Sequence, residues 1–290
     1  MRNHLWWAML AAMLIWGGSW PVSKALTPLA NPLVLAFWRF LISFVVFIPL
    51  LFWLKPRPLV PQPNPKTLLY LAIALTAQLL YSWLFFIGLQ KGLASAGGIL
   101  VTTLNPILTW LFVALMGGVH TGRREAVGLL TGFIGGGVLL EVWHLDSTLI
   151  FQRGNGYFLA CAALWAIVTI ATQRALNHLP LLLFSALLFG LSTLVLLPLV
   201  GIDALGPWLN DPRFWWGMIY LGVITNALAT LIYFAATSRL GSARVSAWIF
   251  VVPASAGVLS WLFLDEQPSW NLLIGGALAL LAVAMLSPKR

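Results

Sequence analysis

Few side chains in this sequence can do chemistry, and where they fall decides which kind. Seven acidic residues stand among 290. Glu125, Glu141, Asp146, Asp203, Asp211, Asp265 and Glu266 all lie between apolar runs or at their ends, never deep inside one. His4, His120, His144 and His178 fall at ends or in loops too. Paired carboxylates, a metal-ligating cluster or a nucleophile with its base therefore cannot be assembled deep within those runs; Glu141, Asp265 and Glu266 at run ends read as solvated caps or helix-end ion pairs, or as a site at the surface. The sequence predicts no enzyme, no metal site and no cofactor. Cys161 is the only cysteine, which excludes an internal disulfide and any thiolate cluster.

What remains is binding chemistry. Arg39 stands inside an apolar run, about seven residues from its nearer end. Even a lenient insertion scale charges about 2.5 to 3.5 kcal/mol for Arg at a membrane helix centre. Two readings account for it: the guanidinium snorkels to headgroups or caps a neighbouring helix, or it attracts an anionic group such as a carboxylate. Neutral polar residues also sit deep in apolar runs, among them Gln78, Tyr81, Asn105, Asn226 and Tyr233. Lipid offers an amide no partner, so Gln78, Asn105 and Asn226 must face protein or a wet cavity. Substrate contact and interhelical hydrogen bonding are the two readings there. Trp16 and Trp165 are deep as well, and fit either packing or stacking on a flat or cationic ligand.

The elements that carry these groups are membrane spans. The chain is 61% apolar and 8% charged, with a mean hydropathy of +0.94, whereas soluble domains carry roughly 25% charged residues. Ten apolar runs follow one another: Leu5 to Leu26, Pro32 to Leu54, Thr67 to Leu89, Ala94 to Met116, Ala126 to Leu140, Tyr157 to Leu176, Leu181 to Val200, Phe214 to Ala236, Ala243 to Leu264 and Trp270 to Leu286. No loop between them is long enough to bury a core of its own. The net charge of +9 sits at span ends, where anionic headgroups read it, so no nucleic-acid partner is expected and membrane lipid is. Placing both termini in the cytoplasm collects Arg2, Lys55, Arg57, Lys66, Arg123 and Arg124 on the inner side, along with Arg174, Arg239, Arg244, Lys289 and Arg290. That orientation requires an even number of spans, and predicts a bacterial inner-membrane protein. Lys24 reads as an interfacial anchor.

The chain also repeats itself. A shift of 147 residues carries Pro106 onto Pro253, Gly128 onto Gly275 and Gln78 onto Thr225. A slightly different shift carries Trp16 onto Trp165, and the counterpart of Arg39 is about Phe189. This reads as duplication, with units at 1–147 and 148–290. Each unit holds five spans, an odd number, so the copies enter the bilayer from opposite sides. Inverted repeats supply two nearly equivalent packings around one central site, which is what a carrier requires; added bulk in a membrane scaffold is the other reading. Pro21, Pro106 and Pro253 interrupt their spans and are hinge candidates. Gly128, Gly132 and Gly136 have GxxxG spacing, which suits close helix packing within the chain or homodimerisation.

Trp16–Gly17, Asn31–Pro32, Arg39–Phe40, Pro106, Pro253, Asp265–Glu266, Gly128, Gly275 and Gly276 stand in the order that resembles the ten-helix EamA branch of the drug/metabolite transporter superfamily. The resemblance covers nearly the whole chain. It implies an all-α fold of two inverted five-helix repeats, with a central cavity lined by spans one, three, four and their partners. It also implies outward movement of small metabolites, often amino acids. Efflux of amphiphilic drugs is the alternative within that class, and a scaffold or lipid-handling protein the alternative outside it. One departure is that Gly117–His120 stands where the second half has Leu264–Gln267, so the first half lacks the acidic residue there.

Overall fold

A computed structural model describes residues 2–54, 64–92, 94–117, 122–139, 143, 154–255 and 270–286. Every regular element among them is helical. We number them α1 (Arg2–Leu26), α2 (Pro32–Leu54), α3 (Pro65–Lys91), α4 (Ala94–Leu115), α5 (Arg123–Leu139), α6 (Asn155–Ala175), α7 (Leu181–Val200), α8 (Pro212–Leu240), α9 (242–255) and α10 (Trp270–Leu286). Seven of these, α1 to α4 and α6 to α8, are long and apolar enough to cross a membrane. The described stretches of α5 and α10 comprise 17 residues each, about 25 Å at 1.5 Å per residue. Glu141, Asp146, His120 and the Asp265–Glu266 pair lie outside the described residues.

Turn chemistry starts and stops the helices where the sequence changes character. Asn31 Oδ1 accepts from Leu33 N at 2.9 Å, opening α2. Asn64 caps α3 by accepting from Lys66 N, with Pro65 in the first turn. Asp211 does the same for α8 through Arg213 N, and hydrogen bonds from the exposed Arg213 hold its carboxyl below the usual carboxylate range. Gly154 opens α6 at φ +88°, a conformation costly for other residues; a Cβ there would also sit 2.9 Å from the Gly88 carbonyl oxygen.

The helices pack in recurring pairs. α3 and α4 lie against α6, α2 against α7, α1 against α8, and α5 against α10. Apolar burial alone does not select partners in lipid, so close approach and interhelical hydrogen bonds do. Tyr220 Oη donates to Ile15 O at 2.7 Å, joining α8 to α1. The Ser43 hydroxyl on α2 lies 2.9 Å from Gly222 O on α8. Asn105 Nδ2 donates to Ala162 O at 3.0 Å, joining α4 to α6. The GxxxG series is occupied within the chain: Gly128 abuts Leu286 and Met285, Gly132 abuts Phe250, and Gly136 abuts Thr103. Leu194, Leu197 and Leu199 on α7 remain exposed, as lipid-facing side chains do.

One feature departs from the expected regular spans. Residues Tyr220–Ala229 of α8 are wound as a π-helix between two α-helical pieces, closed by Thr230 N donating to Thr225 O. Lys24, two residues from the end of α1, has a half-buried ammonium that donates to Leu89 O and Gly92 O, capping the end of α3.

Candidate functional site

A narrow cavity of about 50 Å³ forms where α1, α2, α3, α4, α6, α8 and α9 meet, so the walls must part to seat anything larger than a few waters. Its walls carry Trp16, Ser19 and Trp20 from α1, Arg39 from α2, Tyr81 and Phe85 from α3, Val101, Thr102 and Asn105 from α4, Trp165 from α6, Thr225, Asn226 and Thr230 from α8, and Ile249 and Val252 from α9.

Of the residues expected to contact substrate, Trp16, Arg39, Tyr81, Asn105, Trp165 and Asn226 line this cavity together. Tyr233 stands just behind its wall, fully buried, 4.9 Å from Trp16 between ring centroids, with its hydroxyl 3.1 Å from Thr169 Oγ1. Gln78 is not a wall residue. It is buried on α3, three positions before Tyr81, with Oε1 lacking a partner. Pro21 and Pro106 lie inside α1 and α4, and Pro253 is buried in α9.

Arg39 does not snorkel. It is 5% exposed, and its guanidinium carbon lies 5.8, 5.7 and 5.8 Å from the ring centroids of Phe40, Phe85 and Phe86. The aromatic faces offset part of the desolvation of the charge. Nε has no hydrogen-bond partner, and among the described residues the only ion pair joins Arg213 to Asp211, at the surface. The local reason is helical phase. Phe40, the next residue, turns towards α7 and stacks on Phe189 at 6.0 Å, which leaves Arg39 pointing inwards.

The remaining walls form an aromatic frame. Trp16 and Trp165 meet edge to face, 5.2 Å apart at 85°. Tyr81 approaches Trp165 at 4.9 Å and stacks on Phe85 at 5.8 Å. Asn105 spends its Nδ2 on the Ala162 carbonyl, so Oδ1 is left without a partner. Asn226 Nδ2 and Thr225 Oγ1 are likewise unpartnered, within the π segment. π-wound stretches frequently mark functional sites, because they turn side chains out of the regular helical phase. Phe85 and Trp20 are wall residues that the sequence reading did not single out as contacts. Phe85 is one turn beyond Tyr81 on the same helix face, which is the signal that points to it.

Comparison with known proteins agrees with this architecture. The model of the EamA-like transporter family matches residues 5–140 and again residues 152–287. The two stretches are offset by 147 at both ends, 5 to 152 and 140 to 287. An uncharacterized transporter of Archaeoglobus fulgidus is 25% identical over 100% of this chain and 98% of its own length. The uncharacterized transporter YvbV of Bacillus subtilis is 25% identical over 97% of this chain and 92% of its own. A protein of Streptantibioticus cattleyicolor named a probable terminal-alkyne amino-acid exporter is 26% identical over 52% of this chain and 43% of its own. One solved crystal structure superposes with a TM-score of 0.79 at 20% identity, covering 99% of this chain and 98% of that one, which speaks to the fold alone. With a matching family model over both halves and an all-helical, multi-pass architecture, the chain belongs to the EamA-like transporter family, a family of transporters rather than enzymes.

Proposed function

We propose that this protein is an alternating-access carrier of a bacterial inner membrane, with both termini cytoplasmic, moving small metabolites outward. Amino acids and related compounds are its foremost cargo. Its two halves, 1–147 and 148–290, act as inverted five-helix repeats around the cavity. The double family match at a constant offset supports that reading. So does the packing, since α2 pairs with α7, α5 with α10, and the α3–α6 contact is answered by α8–α1. Pro21, Pro106 and Pro253 are the proposed hinges, and Gln78 and Tyr233 support the substrate-contacting residues from behind. The amino-acid class rests on the family resemblance and on the name of the partial relative from Streptantibioticus.

The observation that carries the proposal is the cavity itself, which draws on both halves and holds a buried guanidinium with no counter-ion among the described residues. A scaffold has no use for a charge kept at that cost. Arg39 in the wall also argues against a drug-efflux site built for apolar cations. The test is release of preloaded amino acids from liposomes containing purified protein. Asn226→Leu is expected to slow release about fivefold while leaving the fold intact. Release no faster than from protein-free liposomes across a panel of amino acids and related carboxylates would overturn the proposal.

A further inference from the structure

We infer that the cavity selects its occupant by net negative charge, and that its preferred ligand is an organic monocarboxylate with a flat apolar body and no ammonium group. This rests on the carrier reading and moves its foremost cargo from amino acids to related carboxylates that lack the ammonium.

Arg39 sets the charge of the cavity wall. It is a permanent cation, buried, with Nε unpartnered and ringed by Phe40, Phe85 and Phe86. The described acidic residues Glu125, Asp203 and Asp211 all lie at helix ends or in loops, and none is on the cavity wall. The only net charge facing the cavity from its described walls is therefore positive. In a low-dielectric pocket a carboxylate gains a charge-assisted pair from this arrangement, whereas an ammonium meets repulsion.

Among the neutral groups, Asn226 presents an unpartnered Nδ2 and Thr225 an unpartnered hydroxyl, both able to donate to an anion. Ser19 and Thr102 donate their hydroxyl protons to the carbonyls of Trp16 and Gly98, which leaves their oxygens, with Asn105 Oδ1, as neutral acceptors. No carboxylate stands among the wall residues, so an ammonium finds no charged partner there to offset its repulsion by Arg39. Aromatic faces are the usual alternative seat for a cation, but Phe85 is already engaged by Arg39. What the aromatic frame of Trp16, Trp165 and Tyr81 offers instead is edges and faces for a planar apolar body.

Three molecules built on one phenylethyl skeleton separate the possibilities: 3-phenylpropionate, phenylalanine and phenethylamine. Binding to the purified full-length protein is read by quenching of tryptophan fluorescence and by thermal shift. In wild type, 3-phenylpropionate is expected to bind roughly tenfold or more tighter than phenylalanine, with phenethylamine weakest. Arg39→Gln is expected to bring the three within about twofold of one another, Arg39→Lys to keep part of the preference, and Asn226→Leu to weaken the anion about fivefold. Phenylalanine equal to or tighter than 3-phenylpropionate in wild type overturns the inference, as does a preference that survives Arg39→Gln, or no binding of any probe at millimolar concentration. If Arg39→Gln does not fold, the wild-type ranking decides alone. Release of preloaded probe from liposomes keeps the two readings apart. Charge-ranked binding without release sinks the carrier and leaves the charge selection standing. Release without a charge preference sinks the selection and leaves the carrier.

Discussion

The two halves of the chain bring unlike groups to one cavity. Near matching places α2 carries Arg39 and α7 carries Phe189: the first faces the cavity, the second stacks on Phe40 and Phe47. Trp16 and Trp165, by contrast, are the same residue in both halves and touch each other. Between these extremes lie Lys24 and Gln173, separated by the same 149 residues that separate Trp16 from Trp165. Lys24 donates to the carbonyls of Leu89 and Gly92, at the junction of α3 and α4. Gln173 Oε1 accepts from Ser242 N at 2.8 Å, at the junction of α8 and α9. Both tie the end of a half's first helix to the junction between its third and fourth, with donor and acceptor roles exchanged. The family model matches both halves, and positions where they differ, Arg39 against Phe189 among them, supply the polarity of the site.

The largest expected effect tests the most unequal pair. Arg39→Met should lower substrate flux about 30-fold or more, the scale of removing one partner from a buried charge pair. It should also raise the melting temperature of the empty protein by several degrees, because an uncompensated charge leaves the membrane interior. Phe189→Leu should leave flux within about twofold. Similar losses of flux from both substitutions would abolish the asymmetry argued above.

The equal pair comes next. Trp16→Ala and Trp165→Ala should each destabilise by about 3 kcal/mol, the usual cost of truncating a buried aromatic. Because the rings touch, the double variant should fall short of the sum by about 1 kcal/mol. Strict additivity, measured by denaturant unfolding in micelles, would mean that the contact contributes nothing beyond separate packing.

The smallest effect belongs to the ties. Lys24→Met and Gln173→Leu should each cost about 1 to 2 kcal/mol. Hydrogen exchange should quicken in each case at the junction the side chain holds, 89–94 for the first and 240–243 for the second. Faster exchange at both junctions from one substitution would show that the ties act as a unit rather than half by half.

Much of the frame was legible because lipid leaves a strong mark on composition. The run Leu181 to Val200 is bounded in the structure by Pro180 and Gly201 as in the sequence, and α2 opens at Pro32 behind the cap Asn31. The depth of Arg39, Asn105 and Asn226 was legible for the same reason, since polar residues stand out in an apolar run. Their surroundings were not. Phe85 and Phe86 reach Arg39 from another helix, and no local pattern encodes that approach. Gln78 and Thr225 correspond under the repeat, yet Thr225 lines the cavity and Gln78 does not. The reason is that Thr225 lies in a π-wound stretch and Gln78 in an ordinary α-helix. A change of hydrogen-bonding step from four residues to five leaves no signature in hydropathy. A cation near a span end looks the same in sequence whether it meets headgroups or carbonyls, and the carbonyl partners of Lys24 come from another helix.

The winding of α8 has a practical consequence. A π turn is in effect an α-helix with surplus length, and one residue of an α-helix corresponds to about 100° of rotation. Deleting a single residue between Tyr220 and Ala229 would allow the regular ladder to close without breaking the helix. Everything beyond the deletion would keep its place, Tyr233 still beside Thr169 and Trp16, while Thr225 and Asn226 fell back into the regular phase of the helix. The aim of those two side chains is therefore set by a spare residue in the middle of the helix, and lengthening or trimming the loops at either end would not reproduce it.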